Sequence, residues 1–307
     1  MIERLGIIGC GLMGGSFALA LRRAGLVRHV AGYSRSQSSS RRAFELGVID
    51  EACGSAADAV RGADIVLLSV PVASTFEVLT SLRAALGPEA LCMDVGSTKR
   101  DVVAAARAAL GPDIAAFVPA HPIAGKERAG VDAADADLYR DRRVILTPLE
   151  ETDPERTRRA RAVWESVGAV VSDMSPEDHD RAFAAVSHLP HLLAFAYVAS
   201  VACQSGGERV LQLAGPGFRD FTRIAGSDPA MWRDVLLANR DEVLAQSESF
   251  RHALGEIERA MVAGDAQALM DHIARSSALR SQWEMGAALG AMAGGASSRP
   301  AAADESA

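Results

Sequence analysis

An α/β, doubly wound and mostly parallel sheet followed by an all-α second half is the architecture this sequence predicts, on three observations. Short apolar runs alternate with helical segments as far as residue 173, a glycine pattern joins the first run to the first helix, and from Ser175 the apolar period is helical almost to the end. A chain of 307 residues is long enough for about two domains. The division this implies is a dinucleotide-binding domain over 1–173, a helical substrate and dimerisation domain over 174–293, and a disordered Gly/Ser/Ala tail over 294–307.

The first run, from Leu5 to Ile8, enters the turn Gly9-Cys-Gly-Leu-Met-Gly14. The spacing of Gly9, Gly11 and Gly14 is the G-x-G-x-x-G pattern of Rossmann-type dinucleotide sites: one glycine for the tight turn, one for close approach of a pyrophosphate, one for packing helix on strand. The helix that begins with Leu12 and Met13 opens with free N–H groups at the positive end of its dipole, a favourable seat for a phosphate. A second strand, His29 to Tyr33, ends at Ser34-Arg-Ser36. A carboxylate is expected at this strand end where NAD is preferred, yet none occurs before Glu45. Ser34, Arg35 and Ser36 instead suit a 2′-phosphate, so NADP is the expected cofactor, with NAD possible.

Ile65 to Ser69 reads as a buried parallel strand stopped at Val70-Pro71, and Leu91 to Asp94 as another, followed by Val95-Gly-Ser-Thr-Lys99 and a helix over Asp101 to Leu110. Phe117 to Ala120 is a further short strand ending on His121-Pro-Ile-Ala-Gly125. Pro71, Ser97 and His121 are thus expected just beyond strand carboxyl ends, on the edge where open parallel sheets bind ligands. Lys126 to Arg142 is an irregular loop with a short helical piece, Arg143 to Thr147 a strand, Pro154 to Val167 a helix, and Ala169 to Ser172 the strand that closes the sheet.

Ser175-Pro-Glu-Asp178 resembles a capping box. It opens a helix reaching about Gln204, with a kink expected at Pro190, where His188 and His191 fall on neighbouring faces. Amphipathic helices follow over Asp228 to Ala238, Arg240 to Val262 and Ala266 to Ala287. Their apolar faces are too long to be buried in so small a unit, so a homodimer through this half is expected.

Charge and cysteine usage narrow the class. A net charge of −7 with scattered basic residues argues against a nucleic-acid partner. No apolar run of about 20 residues suggests a membrane span, and Met1 runs at once into the first strand, with no room for a signal peptide. Cys10, Cys53, Cys92 and Cys203 lack metal-site or disulfide spacing, so a cytoplasmic protein with reduced thiols and no metal is expected.

Two stretches carry candidate chemistry toward a small-molecule substrate. Gly215-Pro-Gly-Phe-Arg-Asp-Phe-Thr-Arg223 places Asp220 and Arg223 one helical turn apart, where the carboxylate can orient the guanidinium toward a substrate carboxylate; an ordinary surface ion pair has the same spacing. His121 could take a hydroxyl proton as hydride leaves the same carbon, or be structural.

With these residues in view, the chain resembles the prephenate and arogenate dehydrogenases of tyrosine biosynthesis. The resemblance rests on Gly9 to Ser16, Asp94-Val-Gly-Ser-Thr-Lys99, His121-Pro-Ile-Ala-Gly125, Val144 to Pro148, Ser187-His-Leu-Pro-His191, Gly217 to Ile224 and Ser227-Asp-Pro-Ala-Met-Trp232. It implies oxidative decarboxylation of a cyclohexadienyl ring, with His121 polarising the ring hydroxyl and Ser97 bonding to the same region. It further implies Arg223 on a substrate carboxylate, His191 and Trp232 lining the pocket, and Asp220 positioning its neighbours. Lys126 stands where relatives often have Thr, which implies a cation near the substrate side chain and a preference for prephenate; Pro216 replaces a glycine of some relatives. Alternatives are a β-hydroxyacid dehydrogenase or pyrroline carboxylate reductase type of oxidoreductase, which would need a lysine that Ser175 to Gln204 lacks, and a non-catalytic NADP sensor.

Overall fold

The computed structural model describes residues 1–126 and 128–283. Six parallel strands form the main sheet: β1 (Ile2–Ile8), β2 (Val27–Tyr33), β3 (Glu51–Ala52), β4 (Ile65–Leu68), β5 (Leu91–Asp94) and β6 (Phe117–Val118), in the order β3-β2-β1-β4-β5-β6. Between them run the helices α1 (Leu12–Arg23), α2 (Gln37–Glu45), α3 (Ala56–Val60), α4 (Thr75–Leu82) and α5 (Arg100–Leu110). Because side chains alternate across a strand, Ile7, Leu67 and Met93 face one apolar layer, while Ile8, Leu68 and Cys92 face the other. This two-sided burial is why the parallel strands read as unbroken apolar runs.

A second sheet of three strands, β7 (Ala120–Pro122), β8 (Arg143–Leu146) and β9 (Val170–Asp173), departs from the single sheet expected. β7 pairs antiparallel with β8, and β8 parallel with β9. The expected strand from Phe117 to Ala120 breaks at Pro119, whose missing N–H cannot continue a ladder; its carbonyl accepts from Thr147 N instead. His121 therefore lies inside β7, and the strand near Ala169–Ser172 closes the small sheet, not the large one. Helix α6 (Pro154–Ser166) packs its Trp164 against Phe17 of α1 at 4.7 Å between ring centroids and Tyr139 at 5.1 Å. The Tyr139 hydroxyl donates to Met13 O at 2.7 Å, tying the loop before β8 to the start of α1.

At Asp173 the pattern changes to helices alone. Ser175 caps α7 (Pro176–Phe183) by accepting from Asp178 N, as the capping-box reading expects. The expected kink is a π-helical turn, Ala184–His188, joining α7 to α8 (Leu189–Ala202). A proline ring clashes with the carbonyl four residues before it; here that is Val186, and the widened turn relieves the clash without ending the helix. The continuous helix Pro176–Ala202 is long and apolar enough to cross a membrane by length and composition, contrary to the expectation of no such segment. Its first half buries His179, Asp180 and His188 in hydrogen bonds to other elements, while 22% of its apolar window is buried in the single chain.

Helices α9 (Gly207–Gln212), α10 (Pro216–Thr222), α11 (Pro229–Ala238), α12 (Arg240–Ala263) and α13 (Ala266–Gln282) complete the described chain. By compactness it divides into residues 1–250 and a unit from Arg251 onward. In the latter, Asp265 caps α13 by accepting from Ala268 N, and α13 buries none of its side chains. The expected tail over 294–307 and the end of the last helix toward Ala287 lie outside the described residues.

Candidate active site

The glycine turn separates by geometry into two kinds of position. Gly9 has φ +99°, and a Cβ there would lie 2.0 Å from Ser69 O; a Cβ on Gly14 would lie 2.4 Å from Gly9 O. Both glycines are demanded by protein backbone. A Cβ on Gly11 would meet nothing within 4 Å, so this glycine faces open space, as close approach of a pyrophosphate requires. Gly11 is also the N-cap of α1, without a side-chain cap and without an acidic residue in the first turn, which leaves the N–H groups of Leu12 and Met13 for an anion. The turn thus fits a dinucleotide.

Two hydroxyls clamp it: Ser69 Oγ accepts from Gly14 N at 3.0 Å and Ser34 Oγ accepts from Cys10 N at 2.8 Å. Ser34 is thereby partly committed to the turn rather than wholly to a 2′-phosphate. Arg35 and Ser36 are exposed at the end of β2, with Ser36 Oγ 2.7 Å from Ser38 Oγ. Pro71 follows β4 on the same edge and leads through a 3-10 turn into α4.

The loop after β5 is held by one buried carboxylate. Asp94 Oδ2 accepts from Gly96 N at 2.7 Å and from Lys99 Nζ at 2.5 Å, while Oδ1 accepts from Ala120 N at 2.9 Å. Lys99, fully buried, donates also to Ala120 O at 2.7 Å. Both backbone polar groups of Ala120 are thus bound to this ion pair, which ties the loop carrying half-buried Ser97 to β7. A Cβ on Gly96 would come within 2.8 Å of Asp94 Oδ2, so glycine is required for the loop to close this tightly.

His121 meets a partner from α7. Its Nδ1 lies 2.8 Å from His179 Nε2, and His179 Nδ1 lies 2.8 Å from Asp180 Oδ1. Asp180 in turn accepts from Lys99 N at 2.8 Å and Arg100 N at 2.9 Å, so it caps α5 from a different helix. Burial, assisted by neighbouring His179, Lys99 and His188, pushes His121 well below the ordinary imidazole range. Burial also lowers His179, against the opposing pull of Asp180. For Asp180, burial works upward, but hydrogen bonds from His179 and the two backbone N–H groups prevail and hold it low. His188, lowered to about 4 chiefly by burial, takes Asn239 Nδ2 at Nδ1 over 3.1 Å and lies beside the Ser97 backbone, its Nε2 without an aligned partner.

A second group forms around Trp232. His191 stacks on its indole at 3.5 Å and 20° and sets Nδ1 2.9 Å from Ser187 O; His188 meets the same indole edge-on at 6.0 Å. Burial lowers His191, and the positive charge of nearby Arg223 lowers it further. His188, bearing electrostatically on His121 and packed on Trp232, joins the two groups. Asp220 engages its immediate neighbour Arg219 at 2.9 Å, both side chains exposed. The Lys126 ammonium is 2.9 Å from Asp135 and donates to Ala133 O within its own loop.

Sequence reasoning missed His179, Asp180 and Asn239 as site residues, and marked His188 by its place at the kink and in the Ser187–His191 stretch without giving it a role. For His179 and Asp180 the signal was a His-Asp pair in the first turns of a capped helix, where two polar residues precede an apolar stretch. Among the described residues no cluster of His, Cys, Asp and Glu could hold a metal, and the four cysteines are free.

Residues 17–173 match the family model of the prephenate dehydrogenase nucleotide-binding domain, and residues 175–275 that of its dimerization domain. The chain is 36% identical to prephenate dehydrogenase of Bacillus subtilis over 88% of its own length and 73% of that protein. It is 34% identical to cyclohexadienyl dehydrogenase of Zymomonas mobilis, covering 91% and 96% of the two chains. The crystal structure of prephenate dehydrogenase from Aquifex aeolicus with hydroxyphenyl propionate and NAD+ superimposes with a TM-score of 0.86 at 39% identity, covering 92% of this chain and 98% of that one. A glycine turn that fits a dinucleotide and a buried histidine bonded to the first helix of the second half are thus features of a chain that belongs to the prephenate dehydrogenase family.

Proposed function

We propose that this protein is an NAD(P)-dependent dehydrogenase that oxidatively decarboxylates prephenate, or its amino counterpart arogenate, to the corresponding phenol. The observation that carries the reading is His121: a buried imidazole held neutral, one nitrogen bonded to His179 and no described residue on Nε2. A neutral imidazole is what the reaction needs at the ring hydroxyl. A bound nicotinamide supplies the hydride acceptor. His121 accepts the hydroxyl proton as the hydride departs from the same carbon; the C–C bond to the ring carboxylate breaks, CO2 leaves, and its electron pair restores the aromatic ring. The proton then returns to the phenolic oxygen.

Ser97, on the loop fixed by Asp94 and Lys99, donates to the same oxygen. Arg223 binds a substrate carboxylate through its planar fork, with His191 and Trp232 forming the adjacent wall. NADP is the preferred cofactor: no carboxylate stands at the end of β2, and Arg35 is exposed there to meet a 2′-phosphate. The domain from residue 174 supports a homodimer, since the dimerization-domain match covers 175–275 and large apolar side chains such as Val186, Leu213 and Leu237 stand exposed in the single chain.

The test is reduced-cofactor formation with prephenate and arogenate, each against NADP and NAD. Turnover in at least one pairing is expected, with NADP favoured, and replacing Arg35 by Ala should erode that preference about tenfold. The variant His121→Asn should lose roughly 100-fold or more in kcat while binding cofactor normally. Cofactor binding without turnover of either substrate would refute the reading.

A further inference from the structure

We infer that His179 and Asp180 are positioning residues that fix the tautomer of His121, keeping its Nε2 a bare lone pair toward the substrate. The inference rests on the reading of His121 as the base, and the argument is one of hydrogen-bond polarity. Asp180 receives Lys99 N on Oδ1 and Arg100 N on Oδ2, with the Arg100 guanidinium 3.5 Å away. At the N-terminus of α5, beside two N–H donors and the positive end of the helix dipole, it is an acceptor only. The His179 nitrogen 2.8 Å from Oδ1 must then be the one carrying hydrogen.

A neutral imidazole has a single N–H, so His179 Nε2 is an acceptor. It faces His121 Nδ1 at 2.8 Å, which must donate. The His121 proton is thereby placed on Nδ1, and Nε2 is left unprotonated. Three hydrogen bonds in series, each dictating the next, carry the decision from a helix N-terminus to the base.

The same series serves the charged state. When the substrate O–H bond breaks and an N–H bond forms on Nε2, the imidazolium still donates from Nδ1 to His179, whose own N–H points at the carboxylate. No proton needs to pass along the chain; the buried negative charge stabilises the cation through the polarised ring between them. The groups bearing on His121 are His179 of α7, Lys99 of the β5–α5 loop and His188 of the π-helical turn, with Asp94 and Asp180 behind His179. Asn239 keeps the arrangement in place, donating from Nδ2 to Asp180 O at 2.7 Å while meeting His188 with the same group.

The experiment compares His179→Gln, His179→Phe and His121→Asn in the full-length protein, measuring kcat and KM for prephenate, cofactor Kd and thermal midpoint. Gln can keep an amide oxygen in reach of His121 Nδ1. Phe keeps the ring that stacks on Phe183 at 4.5 Å but offers no acceptor. The expected result is a loss of roughly 100-fold in kcat for His179→Phe, with KM and cofactor Kd within about threefold, and recovery of at least about tenfold by His179→Gln. Near-normal turnover by His179→Phe while His121→Asn is inactive would overturn the inference alone. Equal losses in the Gln and Phe variants that follow their thermal midpoints would also overturn it, by showing a structural role. Full turnover by His121→Asn would overturn the base assignment itself, and the inference with it.

Discussion

His121, His179, His188 and His191 are all pushed below the ordinary imidazole range, with burial the leading cause for each. Two pH effects follow. In catalysis, a base with a lowered pKa stays competent into mild acid, so the acid limb of kcat/KM should lie below the usual histidine value, and a limb at or above it would contradict the assignment. In stability, the unfolded chain binds protons that the native chain refuses. For His188, with an ordinary value of 6.5 and a folded value of about 4, the contribution is complete above pH 6.5 and is lost as pH falls toward 4. That residue alone accounts for up to about 3 kcal/mol, measurable as a drop in urea midpoint between neutral and mildly acidic buffer. Arg223→Lys should raise KM about 10- to 100-fold with a smaller change in kcat, because an ammonium cannot offer a bidentate fork. At this scale, His121, Ser97 and Arg223 could be singled out from local motifs. His179 and Asp180 could not, because the contact with His121 spans 58 residues of chain and no local period encodes it.

Among the elements, the glycine turn was the most legible, since the spacing of Gly9, Gly11 and Gly14 is a local requirement of strand, turn and helix. The structure adds what a side chain at each would meet. Gly11→Ala should fold with stability within about 0.5 kcal/mol of the parent and lose cofactor affinity, because the added methyl meets no protein atom. Gly14→Ala should cost stability by about 3 kcal/mol or more, since its methyl would strike backbone at Gly9 O. Thermal melts with and without cofactor distinguish the two outcomes. The switch from β6 to β7 was not legible: strands of two and three residues have no period to read, and what separates them is Pro119 together with the bonding of Ala120 to Asp94 and Lys99. The helix through Pro190 was seen as kinked because proline forbids a regular α-helical bond, whereas a π-helical turn satisfies the same constraint and keeps the chain running.

For the molecule as a whole, the change of pattern at Asp173 was plain in the sequence, as was the surplus of apolar helix surface after it. Exposed Val186, Tyr197, Leu213, Phe221, Leu237 and Leu244 are consistent with a homodimer. The thermal midpoint should therefore rise over a roughly 100-fold increase in protein concentration, and sedimentation should report two chains. A midpoint independent of concentration, with a single-chain sedimentation coefficient, would count against the dimer.

The cap that Asp180 places on α5 bears on how such chains can be recombined. A nucleotide-binding half transplanted onto a foreign helical half would keep its glycine turn, its Lys99–Asp94 pair and His121, yet its first free amides on α5 would face solvent and its histidine would be free to choose either tautomer. Cofactor binding would survive such a graft more readily than turnover. The halves are not interchangeable cassettes: chimaeras will work only where the junction keeps Lys99, Arg100 and His121 matched to His179, Asp180 and Asn239, a criterion that ranks crossover points before any is built.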